Sequence, residues 1–170
     1  METIQSESSR SKSKASLSTM FYRDLDTSKL LRDLERLGSL ESLGMGTHFT
    51  SYFWKPSSFS YALSVSRDTF YKGDSWGRSK WAEAMEKVQK LKHPLIPPML
   101  HGVYNEKVYY LKPYCPDRVD VKDPLIRDQI LSLESALSQE NLKIDDYWQV
   151  RSLDQHPFVI DWSDLVLDNL

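Results

Sequence analysis

Apolar residues recur along this chain with two different periods. Leu30, Leu31, Leu34 and Leu37 are spaced as on one face of a helix, with Asp26 or Thr27 placed to cap its start and Gly38 to stop it. His48–Trp54 and Ser60–Arg67 are strand-like, rich in aromatic and β-branched residues, and Lys55-Pro56-Ser57-Ser58 between them has the composition of a hairpin loop. The helical period returns in Trp81, Ala84, Met85, Val88 and Leu91, after Ser79 as a cap and before Pro94. His101–Tyr104 and Lys107–Leu111 read as an antiparallel pair around Asn105-Glu106. Asp123, with Pro124 where a missing N–H costs nothing, opens a third helix striped by Leu125, Ile126, Ile130, Leu133 and Leu137. Tyr147–Ser152 and Pro157–Ile160 form a last hairpin around Asp154-Gln155. Antiparallel strands with segregated helices predict an α+β architecture.

Composition narrows the function classes. The segment Met1–Thr19 holds seven serines and almost nothing apolar, so residues 1–20 are expected to be a flexible tail and 21–170 a single domain. Over the 170 residues, 40% are hydrophobic and the formal net charge is −2, enough for a core and too acidic for a general nucleic-acid binder. Cys115 is the one cysteine, which excludes an internal disulfide and a cysteine-based zinc site. No apolar run approaches the roughly 18 residues that span a bilayer, and the first residues lack the apolar core of a Sec signal. The expected compartment is the cytoplasm, or a host cytoplasm reached by another route.

Chemistry gathers at the joints. Leu43-Gly44-Met45-Gly46-Thr47 reads as a glycine-containing turn ahead of the first strand pair. Asp161 follows the apolar run Phe158-Val159-Ile160 and should emerge at a strand end. Pro113–Asp120 is irregular, and Cys115 lies there between Pro113 and Pro116, as a plain link residue rather than a nucleophile.

In this order the elements resemble the protein-kinase fold. Leu43–Phe49 sits where that family has its glycine-rich loop, and Tyr61-Ala62-Leu63-Ser64-Val65 resembles the strand carrying its phosphate-binding lysine. Trp81–Leu91 is similar to the helix bearing the partner glutamate, followed by a similar segment in His93-Pro94-Leu95-Ile96 and Leu100–Tyr104. Lys112-Pro113-Tyr114-Cys115 resembles the hinge between lobes, and Phe158–Ser163 the strand ending in the metal-binding Asp. The resemblance implies an antiparallel sheet with a packed helix over about 37–112, a hinge over about 112–117, and a much reduced helical lobe over about 118–170. It implies that Gly44, Gly46, Thr47 and Tyr114 contact ATP, that Asp161 holds Mg²⁺, and that Asp145 or Asp146 orients an acceptor hydroxyl. The residues alone leave plainer alternatives: an ordinary turn at Gly44, a turn-capping role for Asp161 or Asp164, and solvated loop acids at Asp145 and Asp146.

The departures carry a functional expectation. Ser64 stands where the family has its lysine, and Phe49 where the loop has its third glycine. Glu83 and Glu86 flank the helix glutamate's place, which falls nearer Ala84. No His-Arg-Asp catalytic loop is visible; Asn141–Trp148 occupies that region, with no asparagine at the usual distance, and the chain closes soon after Asp161. Lys55, Lys72 and Lys87 are candidates to replace the lysine, with nothing to choose among them. The expected function is therefore that of a pseudokinase-like regulator or effector that binds a partner protein, self-association included, with phosphotransfer lost or weak. A minimal ATP- and Mg²⁺-dependent kinase is one alternative. A small α+β interaction domain unrelated to kinases is the other, and it requires Gly44–Thr47 and Asp161 to lie far apart.

Overall fold

A computed structural model describes residues 21–70, 77–144 and 148–167. Helix α1 (Thr27–Leu34) begins where the cap predicts, with the Asp26 carboxylate accepting the Lys29 N–H. Strands β1 (Glu41–Met45), β2 (Phe49–Trp54), β3 (Tyr61–Ser66), β4 (Leu100–Tyr104) and β5 (Lys107–Pro113) form one antiparallel sheet, ordered β1-β2-β3-β5-β4. Helix α2 (Gly77–Lys90) precedes β4, and α3 (Pro124–Gln139) follows the short β6 (Asp117–Arg118). After α3 come β7 (Leu142–Ile144), β8 (Val150–Leu153), β9 (His156–Val159) and β10 (Leu165–Leu167); β6-β8-β9 form a small sheet, and β7 pairs with β10. This is the α+β class that the pattern predicts.

Because strand side chains alternate, β3 at the sheet's centre is buried on both faces. Tyr61, Leu63 and Val65 join Phe21, Leu30, Leu34, Trp54 and Leu111 in an outer cluster roofed by α1. The Trp54 indole donates to the buried Asp33 carboxylate at 2.7 Å, which ties α1 to β2. On the opposite face Phe49, Val108 and Tyr110 pack against Trp81, Ala84, Met85 and Val88 of α2. That cluster continues through Leu95 and Ile96 to Leu133, Leu137, Val150, Val159, Trp162 and Leu165, so one core joins the sheet to the segment that carries Asp161. Two hairpins close with both turn residues at positive φ, Asn105 and Glu106 (51° and 67°) and Asp154 and Gln155 (50° and 68°), the tight twist that two-residue loops favour.

Some boundaries differ from the sequence expectation. Residues 43–45 belong to β1 rather than to a turn: Gly44 pairs with Ser51 and Met45 with Thr50, after a bulge between Ser42 and Gly44. Gly44 takes a φ of 157°, which L side chains rarely adopt, and that is the conformational reason for glycine there. Helix α2 starts at Gly77, so Ser79 lies inside its first turn. Leu125 is 72% exposed, because the face that meets the core is that of Ile126, Ile130, Leu133 and Leu137. Strand β5 runs two residues beyond Leu111, since Lys112 and Pro113 still pair with Ala62 and Tyr61. Lys112 is therefore a sheet residue, not a link residue. Strands of three residues, β7 and β10, are too short to leave a periodic signal.

Candidate functional site

A cavity of about 610 Å³ opens between the sheet and the β8–β10 region. Its upper border is the end of β1 and the turn into β2, including Gly44, Gly46, Thr47 and His48. The turn is held from both sides. Gly46 N–H donates to the Phe49 carbonyl at 2.8 Å, and the Arg67 guanidinium donates to the Gly46 carbonyl at 2.6 Å. Phe49, standing at the third-glycine position, is buried against the rings of Phe70, Trp81 and Tyr110 and anchors the start of β2.

The lower border carries Gln149, Arg151, Asp161, Ser163 and Asp164. Asp161 leaves β9 at the rim: its Oδ1 accepts the Ser163 N–H at 3.0 Å and its Oδ2 accepts the Gln149 amide at 3.4 Å. The first bond is the turn-stabilising contact of the plainer reading. The second brings a side-chain amide to the acid, although the sequence shows no asparagine at the family's spacing. Gly44–Thr47 and Asp161 thus share one crevice, the opposite of what an unrelated domain requires.

The inner wall is β5. Tyr110, Lys112 and the following Tyr114 and Cys115 line it, with Ala62 of β3 beside them. The Tyr114 ring packs on Phe53 with centroids 5.1 Å apart, and its N–H donates to the Ser60 carbonyl at 3.0 Å. The Tyr110 hydroxyl accepts the Trp162 N–H at 3.2 Å and lies 3.3 Å from the Ser163 hydroxyl. Burial, and next the negative field of Asp161, push its pKa up to about 12, so it stays a neutral hydrogen-bonding group. Burial likewise pushes the Cys115 thiol up to about 11, which leaves it inert as a nucleophile at neutral pH.

Lys112 is the residue that sequence reasoning missed. It is only 4% exposed, and its ammonium sits 4.9 Å from the Tyr110 ring centroid. Burial lowers its pKa to about 8, against the opposing pull of Asp161. Of the three lysines proposed as replacements, Lys55 is exposed, Lys87 donates to the Glu140 carbonyl at 3.2 Å, and Lys72 lies outside the described residues. A signal was present: Val108, Tyr110 and Lys112 are spaced by two and share one strand face. It was hidden by ending the strand at Leu111.

Other expected residues do not gather here. Asp145 and Asp146 lie outside the described residues. Glu83 pairs with Lys80 at 3.7 Å on the surface, and among the described residues no carboxylate of α2 borders the cavity. Ser64 contacts the Ser51 hydroxyl at 2.7 Å. The described residues contain no cluster of three His, Cys, Asp or Glu side chains that could form an all-protein metal cage. A Mg²⁺ ion needs less, because one or two carboxylates with phosphate and water oxygens complete its shell. Asp161 with Asp164, both on the cavity, meet that requirement.

No family model matches the sequence, and no curated protein matches it. Among solved structures the chain is similar to the kinase domain of PknI from Mycobacterium tuberculosis, with a TM-score of 0.53 and 19% identity over 73% of this chain and 58% of that one. A double mutant of the same domain gives a TM-score of 0.51 at 18% identity, with the same coverage. The fold is protein-kinase-like, and the chain spans a little over half the length of the kinase domains it matches.

Proposed function

We propose that this kinase-like fold binds a magnesium nucleotide in the cleft beneath Gly44 and acts mainly through binding, as a pseudokinase-like regulator of a partner protein. The observation that carries the reading is the shared cavity: the glycine-bearing turn on one side and Asp161 with Gln149 on the other border the same 610 Å³ space, large enough for a nucleotide-sized ligand. The glycine-bearing turn lets phosphate oxygens approach the main chain closely, and Asp161 with Asp164 suits a hard cation that bridges them. The cation would supply charge neutralisation; the chain's own part is to position the phosphates and to exclude water from the inner wall.

Weak transfer follows from what the cleft lacks. Phosphoryl transfer depends on several fixed charges acting together. Here β3 offers Ser64, and α2 meets the core with Trp81, Ala84 and Met85 rather than with an acid directed at the cleft. Binding through a partner is supported by apolar side chains left in solvent on α3, Leu125 and Leu131 at 72% and 61% exposure. Among the described residues no helix is long and apolar enough to cross a membrane.

The test pairs two measurements on one sample. Isothermal titration with ATP, with and without Mg²⁺, is expected to show Mg²⁺-dependent binding, and incubation with γ-labelled ATP is expected to leave the chain and generic protein acceptors unlabelled. Rapid label transfer that Asp161→Ala abolishes overturns the regulatory reading in favour of an active enzyme, the alternative that the buried Lys112 favours.

A further inference from the structure

We propose that Lys112 on β5 supplies the phosphate-binding positive charge that β3 lacks at Ser64, so that the cleft receives the phosphates of a nucleoside di- or triphosphate against its β5 wall. The inference rests on the nucleotide reading above and assigns the residue that does the work.

Register carries the argument. Ser64 is paired with Tyr110, and Lys112 with Ala62, one step along the sheet on the same face. The lysine's ammonium lies 4.9 Å from the ring centroid of Tyr110, the residue paired with Ser64. Ser64 is short, buried and hydrogen-bonded to Ser51 and to the Tyr110 hydroxyl, so β3 offers no cation at that place. The cation is offered from β5, one residue pair along the sheet from the serine.

A purely structural lysine fits poorly. An ammonium on so buried a side chain is costly to hold, and the neighbour it meets here is the Tyr110 ring rather than a carboxylate at ion-pair distance. It lies on the cavity wall. The charged and titratable groups around the same cavity are Asp161 and Asp164 after β9, Arg151 on β8, Tyr110 on β5, Tyr114 and Cys115 after β5, and His48 above. Asp161 attracts the ammonium without forming an ion pair within 4.0 Å. A cation resting on a ring face and within the field of a carboxylate that can hold a metal is the arrangement a Mg²⁺–phosphate group would complete.

The experiment measures Kd for Mg·ADP and for adenosine by titration on the full chain. Lys112→Met is expected to weaken Mg·ADP by about ten- to a hundredfold, as loss of a hydrogen bond to a charged group does, and to leave adenosine within about twofold. Ser64→Lys in the Lys112→Met background, which returns the amine to β3, is expected to recover most of the loss, and Lys112→Arg part of it. Thermal unfolding keeps the comparison sound, since Lys112→Met removes a buried charge and should be at least as stable as the parent. Equal Mg·ADP affinity in the parent and in Lys112→Met overturns the assignment while leaving the nucleotide reading intact. A parent chain that binds no nucleotide overturns both.

Discussion

Trp81 of α2 donates its indole N–H to the backbone carbonyl of Trp162 at 3.0 Å, inside the core. Trp162 in turn donates its own indole N–H to the Val159 carbonyl at 2.9 Å. Two buried tryptophans therefore fix the helix to the segment that presents Asp161. This attachment is apolar and hydrogen-bonded.

Trp81→Phe keeps most of the ring volume but leaves the Trp162 carbonyl without its donor. The expected loss is about 1–3 kcal/mol of unfolding free energy, read from urea denaturation. Trp81→Ala, which also opens a cavity, should lose about 3–5 kcal/mol. A loss below about 0.5 kcal/mol for Trp81→Phe means that the bond does not secure the helix.

The outer face depends on a second indole. Asp33→Ala removes the acceptor of the buried Trp54 N–H and the partner of Lys29 and Arg36, which lie 3.6 and 3.8 Å away. The orphaned N–H should account for most of a loss of about 1.5–3 kcal/mol, because the two cations are largely in solvent and contribute little. Lys29→Ala, measured in the same denaturation series, should change stability by less than about 0.5 kcal/mol.

Lys112 gives a signed pH dependence. Its folded pKa, about 8, lies below the unfolded value of 10.5, so between these values the unfolded chain binds more protons. Its presence therefore lowers stability at and below pH 8, and the deficit shrinks as pH rises toward 10.5. Cys115 and Tyr110, with raised pKa values, pull the other way above about pH 9 and 10. The difference between the parent and Lys112→Met cancels those contributions. Lys112→Met should be the more stable protein at pH 7, by on the order of 3 kcal/mol at most, and the gap should narrow by pH 9.5 in parallel melts. A constant gap excludes a depressed Lys112.

Arg67 clamps the turn over the cavity through the Gly46 carbonyl. Arg67→Ala should leave the melting temperature nearly unchanged, as the contact is exposed, yet speed amide exchange at Gly46 and weaken Mg·ADP several-fold. Unaltered exchange at Gly46 shows that the clamp does not order the turn.

The sequence made the scaffold legible and part of the cleft. Caps at Asp26 and Asp123, two-residue turns at Asn105-Glu106 and Asp154-Gln155, and the spacing from Trp81 to Val88 are local signals, and the elements follow them. Gly44 and Asp161 were placed by the order of elements, which the sheet then closes into one crevice. Gln149 and Lys112 were harder to place, for different reasons. Gln149 takes its meaning from an amide that meets Asp161 across the chain, which spacing does not encode, whereas Lys112 shares the alternating face of Val108 and Tyr110 and enters the cleft because β5 runs past Leu111. The exposure of Leu125 likewise depends on which edge of the stripe turns to the core, and that edge is Ile126.

Equilibrium dialysis of labelled ATP against the parent chain and Asp161→Ala, each with and without Mg²⁺, is the most direct test of the cleft. Saturable binding to the parent that strengthens with Mg²⁺, and loss of that Mg²⁺ dependence in Asp161→Ala, is the predicted result. Binding that ignores both the metal and the substitution, or no binding at all, contradicts the account.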